Sequence, residues 1–263
     1  MNQKQSISHV ISSQSSSQQK IYRTRLTAVL DCTRFLLMQG LSSRGHDESK
    51  ESLNKGNLIK LLNWYATCRK KINEVLFSNA PGNDQMTSPN IHKDLVNCCA
   101  VETIRSMINE MGDSLFSILV DESRDNSVKE QMAVVLRFVD KSGQVKEPLL
   151  GICHIADTCA QSLKDAIDAM FSTHGLSISS LRGQGYDGAS NMSATASVER
   201  VFSAMNLIKN DLRNKMGDEM LNDNLVVYME RDLFMKLENE TILQRFQNMR
   251  PRRIQLSKLA ISE

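Results

Sequence analysis

The chain has 263 residues and a formal net charge of +2, with 41% hydrophobic and 24% charged residues. These values are ordinary for a globular protein, and they exclude a general electrostatic attraction to nucleic acid, which would need a local basic patch. No apolar run reaches the roughly 18–20 residues that span a bilayer, and the N-terminus lacks the apolar core of a secretory signal. We therefore expect an intracellular protein without membrane contact, whose six cysteines are free thiols.

The first part of the chain is predicted to be a polar tail followed by helices. Residues 1–22 are rich in serine and glutamine and show no apolar period, which predicts a disordered tail. Apolar residues then recur at helical spacing in three stretches that end near Gly40, Phe77 and Gly112. Residues 23–112 are therefore predicted to form a helical N-terminal block.

The periodicity changes after Gly112. Three short apolar runs, SILV at 117–120, AVVLRFV at 133–139 and LLGICHI at 149–155, are typical of strands. A helical stretch that ends at Gly175 follows, and LRGQGY then predicts another strand. Residues 113–193 are thus predicted to hold about four strands with a helix before the last, which is how a ribonuclease-H-like domain begins.

The remaining residues are predicted to be helical and then basic. Residues 194–235 show two helical stretches that share an apolar stripe, and residues 236–263 form a mixed-charge, basic tail. The stretch RPRRIQLSK at 250–258 is compatible with a phosphate contact, a nuclear localisation patch or a frayed tail.

Three acidic residues follow the pattern that metal-dependent phosphodiester chemistry requires. Asp121 ends the first strand, Asp187 follows the fourth strand, and Glu199 opens the next helix. Enzymes of this kind clamp the reacting oxygens with two divalent ions, and Mg²⁺ prefers the oxygen ligands that carboxylates supply. Acidic residues at strand ends are also common on protein surfaces, so the spacing alone leaves both interpretations open.

Two further constellations have simpler structural explanations. Cys153, His154 and Cys159 match no common zinc spacing, which favours a core cysteine and a surface histidine. The glycines of GQGYDG at 183–188 match a dinucleotide fingerprint in spacing, but they do not follow the first strand of a βαβ unit. A tight turn that presents Asp187 is the simpler interpretation.

Several runs of the sequence carry a resemblance to a known superfamily. The runs FLLMQGLSSRGHDES, FSILVDESRDNSVKEQMAVVLRFVD and LRGQGYDGASNMS resemble hAT (hobo/Activator/Tam3) transposase-like proteins, in the branch associated with a TTF-type zinc finger. The run ATASVERVFSAMNLIKNDLRNKMGDEMLNDNLVVYM resembles the C-terminal dimerisation region of the same superfamily.

The resemblance implies roles for particular residues. Asp121 and Asp187 match the catalytic, metal-ligating aspartates, and Glu199 matches the catalytic glutamate, with Mg²⁺ or Mn²⁺ as cofactor only if activity remains. The C-terminal region is implied to pair with a second copy or with related hAT proteins, and no small-molecule substrate is expected. The residues assigned to this dimerisation stripe are Val198, Val201, Phe202, Met205, Ile208, Leu221, Leu225 and Tyr228.

The chain departs from the family pattern between the second aspartate and the glutamate. Family members carry a further strand and a large helical insertion there, whereas Glu199 follows Asp187 by only 12 positions in this sequence. The missing strand is expected to leave the fourth strand as an exposed edge. The DNA-reading zinc finger of the family is not among these residues, so we expect DNA binding to be lost or weak.

We therefore expect an α+β protein: a truncated ribonuclease-H-like sheet of about four strands, preceded by helices and followed by a helical C-terminal dimerisation region. The leading hypothesis is a transposase-derived, nuclear protein that is catalytically inactive, requires no cofactor and retains dimerisation. One alternative is residual metal-dependent DNA nicking or strand transfer through Asp121, Asp187 and Glu199. The other is a non-functional product that was mis-joined near Ser193–Ala194.

Overall fold

The computed structural model describes residues 7–49, 51–77, 86–186, 192–210, 213–252, 254 and 256. None of the helices in these ranges is both long and apolar enough to cross a membrane. In chain order the elements are α1 (Ile7–Met38), α2 (Asn57–Cys68), α3 (Lys70–Asn73), α4 (Pro89–Met111), β1 (Phe116–Arg124), β2 (Glu130–Val139), β3 (Val145–Lys146), β4 (Leu149–His154), α5 (Ala160–His174), β5 (Leu181–Tyr186), α6 (Met192–Ile208), α7 (Asp218–Met229), α8 (Arg231–Met235) and α9 (Asn239–Met249).

The chain divides into two compact units. The helical unit comprises Met1–Leu36, Ser43–Cys98 and Glu238–Glu263, and the sheet unit comprises Leu37–Ser42 and Cys99–Leu237. The sheet unit therefore contains both the strands and helices α5 to α8. The region expected to be a separate dimerisation segment, residues 194–235, belongs to the same unit as the strands that precede it.

The N-terminal segment differs from the disordered tail expected for residues 1–22. Helix α1 begins at Ile7 and continues to Met38. The segment contains neither proline nor glycine between these two residues, so nothing in it stops a helix that is stabilised further along by buried residues such as Tyr22 and Leu26. The disorder that the polar composition predicted is therefore wrong from residue 7 onward, where the backbone is helical.

Along the chain, the strands come before and after α5 as expected for the beginning of a ribonuclease-H-like domain. β2 pairs antiparallel with β1, β3 and β4, and β5 pairs in parallel with β1. The third strand expected from the sequence, at 149–155, is β4. The two-residue β3 precedes it and is separated from it by Glu147-Pro148, because proline has no N–H to continue a ladder. The predicted α+β class is confirmed, with five strands in the part of the chain that the structure describes.

The burial along the strands distinguishes the centre of the sheet from its edge. Residues 131–136 of β2 are buried at every position, so both faces of this strand are covered. In β5, by contrast, half-buried and exposed residues alternate along the whole strand. β5 pairs only with β1 among the described strands, so the expected exposed edge is present in this structure.

Helices cover the sheet on its apolar surfaces. The ring of Phe171 in α5 meets the ring of Phe116 in β1 edge-on, with 5.8 Å between centroids. Helix α6 packs against β1, β2 and α7. Each fully buried valine, isoleucine or methionine of α6 stabilises this packing by about 1.5–3 kcal/mol, and the buried ones are Val198, Val201, Met205 and Ile208.

A buried ion pair joins the end of α6 to the turn between β1 and β2. The Lys209 ammonium lies 2.6 Å from the Asp125 carboxylate, and their side chains are 1% and 0% exposed. Asp125 also accepts hydrogen bonds from the Ser127 N–H at 2.7 Å and the Gln131 amide at 3.0 Å. Every hydrogen bond strengthens the pair, because charges taken out of water need several partners to offset their lost hydration.

Replacement of one member of this pair should strongly destabilise the protein. We expect Lys209→Ala to lower the free energy of unfolding by about 3–5 kcal/mol, because the Asp125 carboxylate stays buried without its cation. Urea denaturation followed by circular dichroism measures this change. As a control, Lys164→Ala removes an exposed partner of Asp168 at 2.9 Å and should change stability by no more than about 0.5 kcal/mol. Equal effects of the two substitutions would contradict the importance of the buried pair.

Candidate functional site

Asp121 lies near the end of the central strand β1. It pairs with Ala133 of β2, and its carboxylate accepts the Glu122 N–H at 2.8 Å. Its side chain shares a face of the sheet with Leu119, because alternate residues of a strand point to the same side. Asp121 directly follows the apolar run at 117–120, as the sequence indicated, but it does not end the strand, because β1 continues to Arg124.

The second expected aspartate follows β5, the strand that pairs in parallel with β1. Tyr186, the last residue of β5, pairs in parallel with Val120, the residue before Asp121. Asp187 follows Tyr186 in the sequence, but it lies outside the described residues, so its predicted role stays a prediction.

One of the glycines that precede Asp187, Gly183, lies close to the neighbouring strand. Gly183 pairs with Ser117 of β1, and a Cβ atom at Gly183 would lie 2.9 Å from the Ser117 hydroxyl oxygen. Such a distance is too short for a carbon atom, so a larger residue at position 183 would require the Ser117 hydroxyl to move. This is a strand contact and not the helix-opening turn of a dinucleotide fingerprint.

Glu199 lies on the outer surface of α6. Val198 and Val201, on either side of it in sequence, are buried, whereas Glu199 is exposed together with Ser203 and Asn206. With 3.6 residues per turn, these three exposed positions share the side of the helix that faces away from the sheet. Glu199 is therefore directed away from the face of α6 that packs on β1.

One other carboxyl group, that of Glu122, lies near Asp121. Burial raises the pKa of Glu122, and the negative charges of Asp121 and Glu130 raise it further. Glu130 is itself engaged by the Arg124 guanidinium at 2.5 Å. In the ranges that the structure describes, no three His, Cys, Asp or Glu side chains are close enough together to hold a metal ion. The described residues alone thus do not fit a divalent-metal site, and we derive no metal-dependent step from them.

The cysteine and histidine residues after β2 are placed as the sequence indicated. Cys153 is half-buried, and burial raises the pKa of its thiol. His154 is exposed, with its Nδ1 atom 2.9 Å from the Glu130 carbonyl oxygen. Cys159 is exposed ahead of α5.

The RGHDES motif makes contacts that stabilise the loop in which it lies. The Arg44 guanidinium donates a hydrogen bond to the Thr87 carbonyl at 2.9 Å and forms an ion pair with Glu48. These contacts lie within the helical unit, where they connect two loops. The motif is thus explained by local structure.

The basic stretch near the C-terminus is held by a carboxylate that the sequence analysis did not identify. Arg250 and Arg252 both form ion pairs with Asp94, the second at 3.0 Å, and the Arg252 guanidinium also stacks 3.5 Å above the Phe246 ring. The side chain of Arg252 is only 12% exposed. Arg250 and Arg252 are therefore not part of a frayed tail, and Arg252 is largely shielded from solvent, whereas the Arg250 side chain is 54% exposed. Arg253 lies outside the described residues.

The predicted dimerisation stripe is largely enclosed within its own chain. Phe202 and Tyr228 are half-buried. The other six residues are buried, with at most 2% of their surface exposed: Val198, Val201, Met205, Ile208, Leu221 and Leu225. Since these side chains pack inside the sheet unit, a partner that contacts them has to replace that packing.

The N-terminal three quarters of the chain match a known protein family. Residues 1–197 match DUF4371, which is described as the ZMYM1/FAM200 RNase-like domain. The match spans all five strands and ends inside α6, two positions before Glu199. Its RNase-like character agrees with the mixed sheet described above.

The outward placement of Glu199 leads to a prediction about stability. We expect Glu199→Ala to change the free energy of unfolding by less than about 0.5 kcal/mol, as is usual for exposed positions. Met205→Ala, on the buried side of the same helix, should lower it by about 2–5 kcal/mol because it leaves a cavity. Thermal and urea unfolding of both variants provide the comparison. A loss above about 1 kcal/mol for Glu199→Ala would show that this carboxylate makes a stabilising contact.

Proposed function

The chain belongs to the ZMYM1/FAM200 RNase-like domain family, a group of domesticated domains related to hAT transposases, and we propose that it is a non-catalytic transposase derivative. The observation that carries this proposal is the orientation of Glu199. A three-carboxylate site needs its ligands to converge on two ions about 3.5–4 Å apart. Glu199 is exposed on the side of α6 that faces away from β1, the strand that carries Asp121.

The packing of α6 also makes a local rearrangement unfavourable. To turn Glu199 toward Asp121, the helix would have to rotate about its axis and expose the buried side that includes Val201 and Met205. The same rotation would remove Lys209 from Asp125 and leave that carboxylate buried without its cation. Catalytic groups must be held within about 0.5 Å of the productive geometry, which a strained helix does not provide.

A plasmid-nicking assay tests the absence of catalysis. We expect no conversion of supercoiled to open-circular plasmid that depends on Mg²⁺ or Mn²⁺, and no difference between the wild type and Asp121→Ala. Asp168→Ala, which removes an exposed carboxylate on α5, is the matched control. Metal-dependent nicking that Asp121→Ala abolishes and Asp168→Ala retains would overturn the proposal and establish the residual-nuclease alternative.

The second part of the proposal is that the chain associates with itself or with related chains through residues 194–235. The resemblance of this region to the hAT dimerisation region supports it. Because the apolar stripe of α6 and α7 already packs inside the sheet unit, we propose that association occurs by exchange. In such a dimer, α6 and α7 of one copy occupy on the second copy the place they have on their own sheet, so no apolar contact is lost.

Cysteine trapping distinguishes an exchanged dimer from a monomer. A Cβ atom at Gly151 of β4 would lie 2.8 Å from the Asn222 side-chain oxygen in α7, so cysteines at these two positions are close enough to form a disulfide. We expect the pair Gly151→Cys and Asn222→Cys to give a covalent dimer on a non-reducing gel. The background carries Cys68→Ser and Cys159→Ser to remove the exposed native thiols.

Light scattering after size exclusion provides the independent readout. We expect a discrete species near twice the 29.6 kDa chain mass for the wild type. Single-cysteine variants serve as controls for non-specific cross-linking. A monomer by light scattering together with a purely intrachain disulfide would refute exchange, whereas a dimer with an intrachain disulfide would place the interface elsewhere on the chain.

A further inference from the structure

A group of basic side chains lies on the outer surface of α2 and α3, within the helical unit. Lys60 lies in α2, Arg69 joins the two helices, and Lys70 and Lys71 begin α3. All four residues are exposed, and none of them forms an ion pair with a described carboxylate. We call these four residues, together with Trp64, the α2–α3 patch.

The α2–α3 patch differs from the other charged regions of the helical unit. Residues 57–73 contain no aspartate or glutamate, so the cations have no acidic neighbour along their own helices. The patch therefore supplies a local excess of positive charge that the net charge of +2 does not reveal. Elsewhere in this unit arginines pair with carboxylates, in the pairs Arg23–Glu240 and Arg44–Glu48 and in those of Arg250 and Arg252 with Asp94.

Trp64, the single tryptophan of the chain, lies on the same face of α2 as Lys60. Residues four positions apart are neighbours on a helix, and the buried residues Leu58 and Leu62 occupy the opposite face. Trp64 is 61% exposed. The fold thus leaves a large aromatic ring in water, although its burial would be favourable. The ring offers a flat stacking surface beside unpaired cations.

Two carboxylates border the patch without cancelling its charge. Asp31 of α1 accepts hydrogen bonds from the Tyr65 hydroxyl at 3.3 Å and from the Asn239 amide at 2.7 Å. Burial and this carboxylate raise the pKa of Tyr65, whereas the Arg69 guanidinium lowers it, so Arg69 lies within electrostatic range of Tyr65. Glu74 is exposed directly after α3. Four cations against two carboxylates leave the patch positive.

This combination of groups fits a single-stranded nucleic acid. Lysine and arginine neutralise backbone phosphates, and an exposed aromatic ring stacks on a base. In a duplex the faces of the bases are covered by their neighbours, so the Trp64 ring can stack only on an unpaired base. A membrane surface fits less well, because interfacial helices insert several large apolar side chains and Trp64 is the one exposed among the described residues 57–77.

We propose that the α2–α3 patch binds single-stranded nucleic acid, with its four cations on phosphates and Trp64 stacked on one base. Neither kind of contact distinguishes one base sequence strongly from another. The binding is non-covalent and involves no chemical step. It is independent of the catalytic and association proposals above.

The intrinsic fluorescence of the full chain tests this proposal, because its single tryptophan lies in the patch. Titration with a 12-nucleotide oligothymidylate at about 50 mM NaCl should quench the emission and give a Kd in the micromolar range. An abasic oligonucleotide of the same length keeps the phosphates but has no bases. We expect it to bind at least fivefold more weakly and to leave the emission unquenched. Equal binding of the two oligonucleotides, or no binding of the oligothymidylate, would overturn the proposal.

The salt dependence of the Kd measures the number of phosphate contacts. For single strands the logarithm of the binding constant falls by about 0.7 per phosphate for each unit of log salt, so four contacts predict a slope of about −2.8. Affinity should then fall about fiftyfold between about 50 and 200 mM NaCl. An affinity that does not change with salt would overturn the proposal.

Substitutions at exposed positions separate the patch from general charge effects. Trp64→Ala should weaken binding at least fivefold. Lys70→Ala combined with Lys71→Ala should weaken it at least fivefold and reduce the salt slope by about 1.4. The matched control combines Lys141→Ala with Lys215→Ala, which removes two exposed lysines of the sheet unit and should change the Kd by less than twofold. Equal losses in the two double variants would overturn the proposal.

Two further titrations identify the source of the ligand. Oligouridylate of the same length tests RNA: binding at least threefold tighter than that of oligothymidylate would identify RNA as the ligand, and the reverse order would identify DNA. Phosphatidylcholine vesicles with about 30% phosphatidylserine test an anionic membrane. We expect them to leave the Trp64 emission unchanged. A blue shift with these vesicles, without quenching by either oligonucleotide, would overturn the proposal in favour of a membrane surface.

Discussion

The buried pair of Lys209 and Asp125 is the constraint on which the sheet unit depends. Burial alone would raise the pKa of Asp125, but the hydrogen bonds from Lys209, Lys129 and Ser127 outweigh it and hold the pKa below its usual value. The carboxylate is therefore ionised in the folded protein. An ionised carboxylate and an ammonium can be buried together only in a narrow range of geometries, so the pair determines where α6 ends and how it is rotated about its axis.

The rotation of α6 about its axis is the basis of both proposals about function. A helix is a rigid rod with 3.6 residues per turn, so a fixed Lys209 also fixes Glu199, ten positions earlier. The same geometry turns the apolar stripe of α6 toward the sheet and the polar side, with Glu199, toward solvent. The apolar residues that stabilise the folded chain are consequently the ones proposed for association. Within one copy, they cannot pack on their own sheet and on a partner at the same time.

Glu230 shows a different balance between packing and charge. Its carboxyl group joins the α7–α8 junction to the first N–H of β4, a contact between residues 81 positions apart. The hydrogen bond compensates only part of the cost of burying a carboxylate, so the pKa rises to about 7. This carboxyl group is therefore close to half ionised near neutral pH.

Local patterns in the sequence predicted much of the architecture. The apolar runs of β1 and β2, the helical period of α5 and its glycine end at Gly175 were predictable, because strand and helix periods are local properties. The position of Asp121 directly after an apolar run was visible in the sequence, whereas the continuation of β1 through polar residues to Arg124 was not. The prediction of a disordered N-terminal tail was wrong from residue 7 onward. The reason is that the length of a helix depends on what its adjoining turns pack against.

The sequence by itself determined the α+β class, the order of the strands and helices, and the resemblance that the family match confirms at the level of an RNase-like, transposase-related domain. Only the tertiary structure decided which side of α6 is buried, which carboxylate pairs with the arginines at 250 and 252, and which carboxyl group has its pKa raised by burial. Each of these depends on contacts between residues far apart in the chain, such as Arg252 with Asp94 and Lys209 with Asp125. Charge and polarity along the sequence carry no record of such pairings, because the free energy of a charged group depends on the partners and solvent that the folded chain places around it.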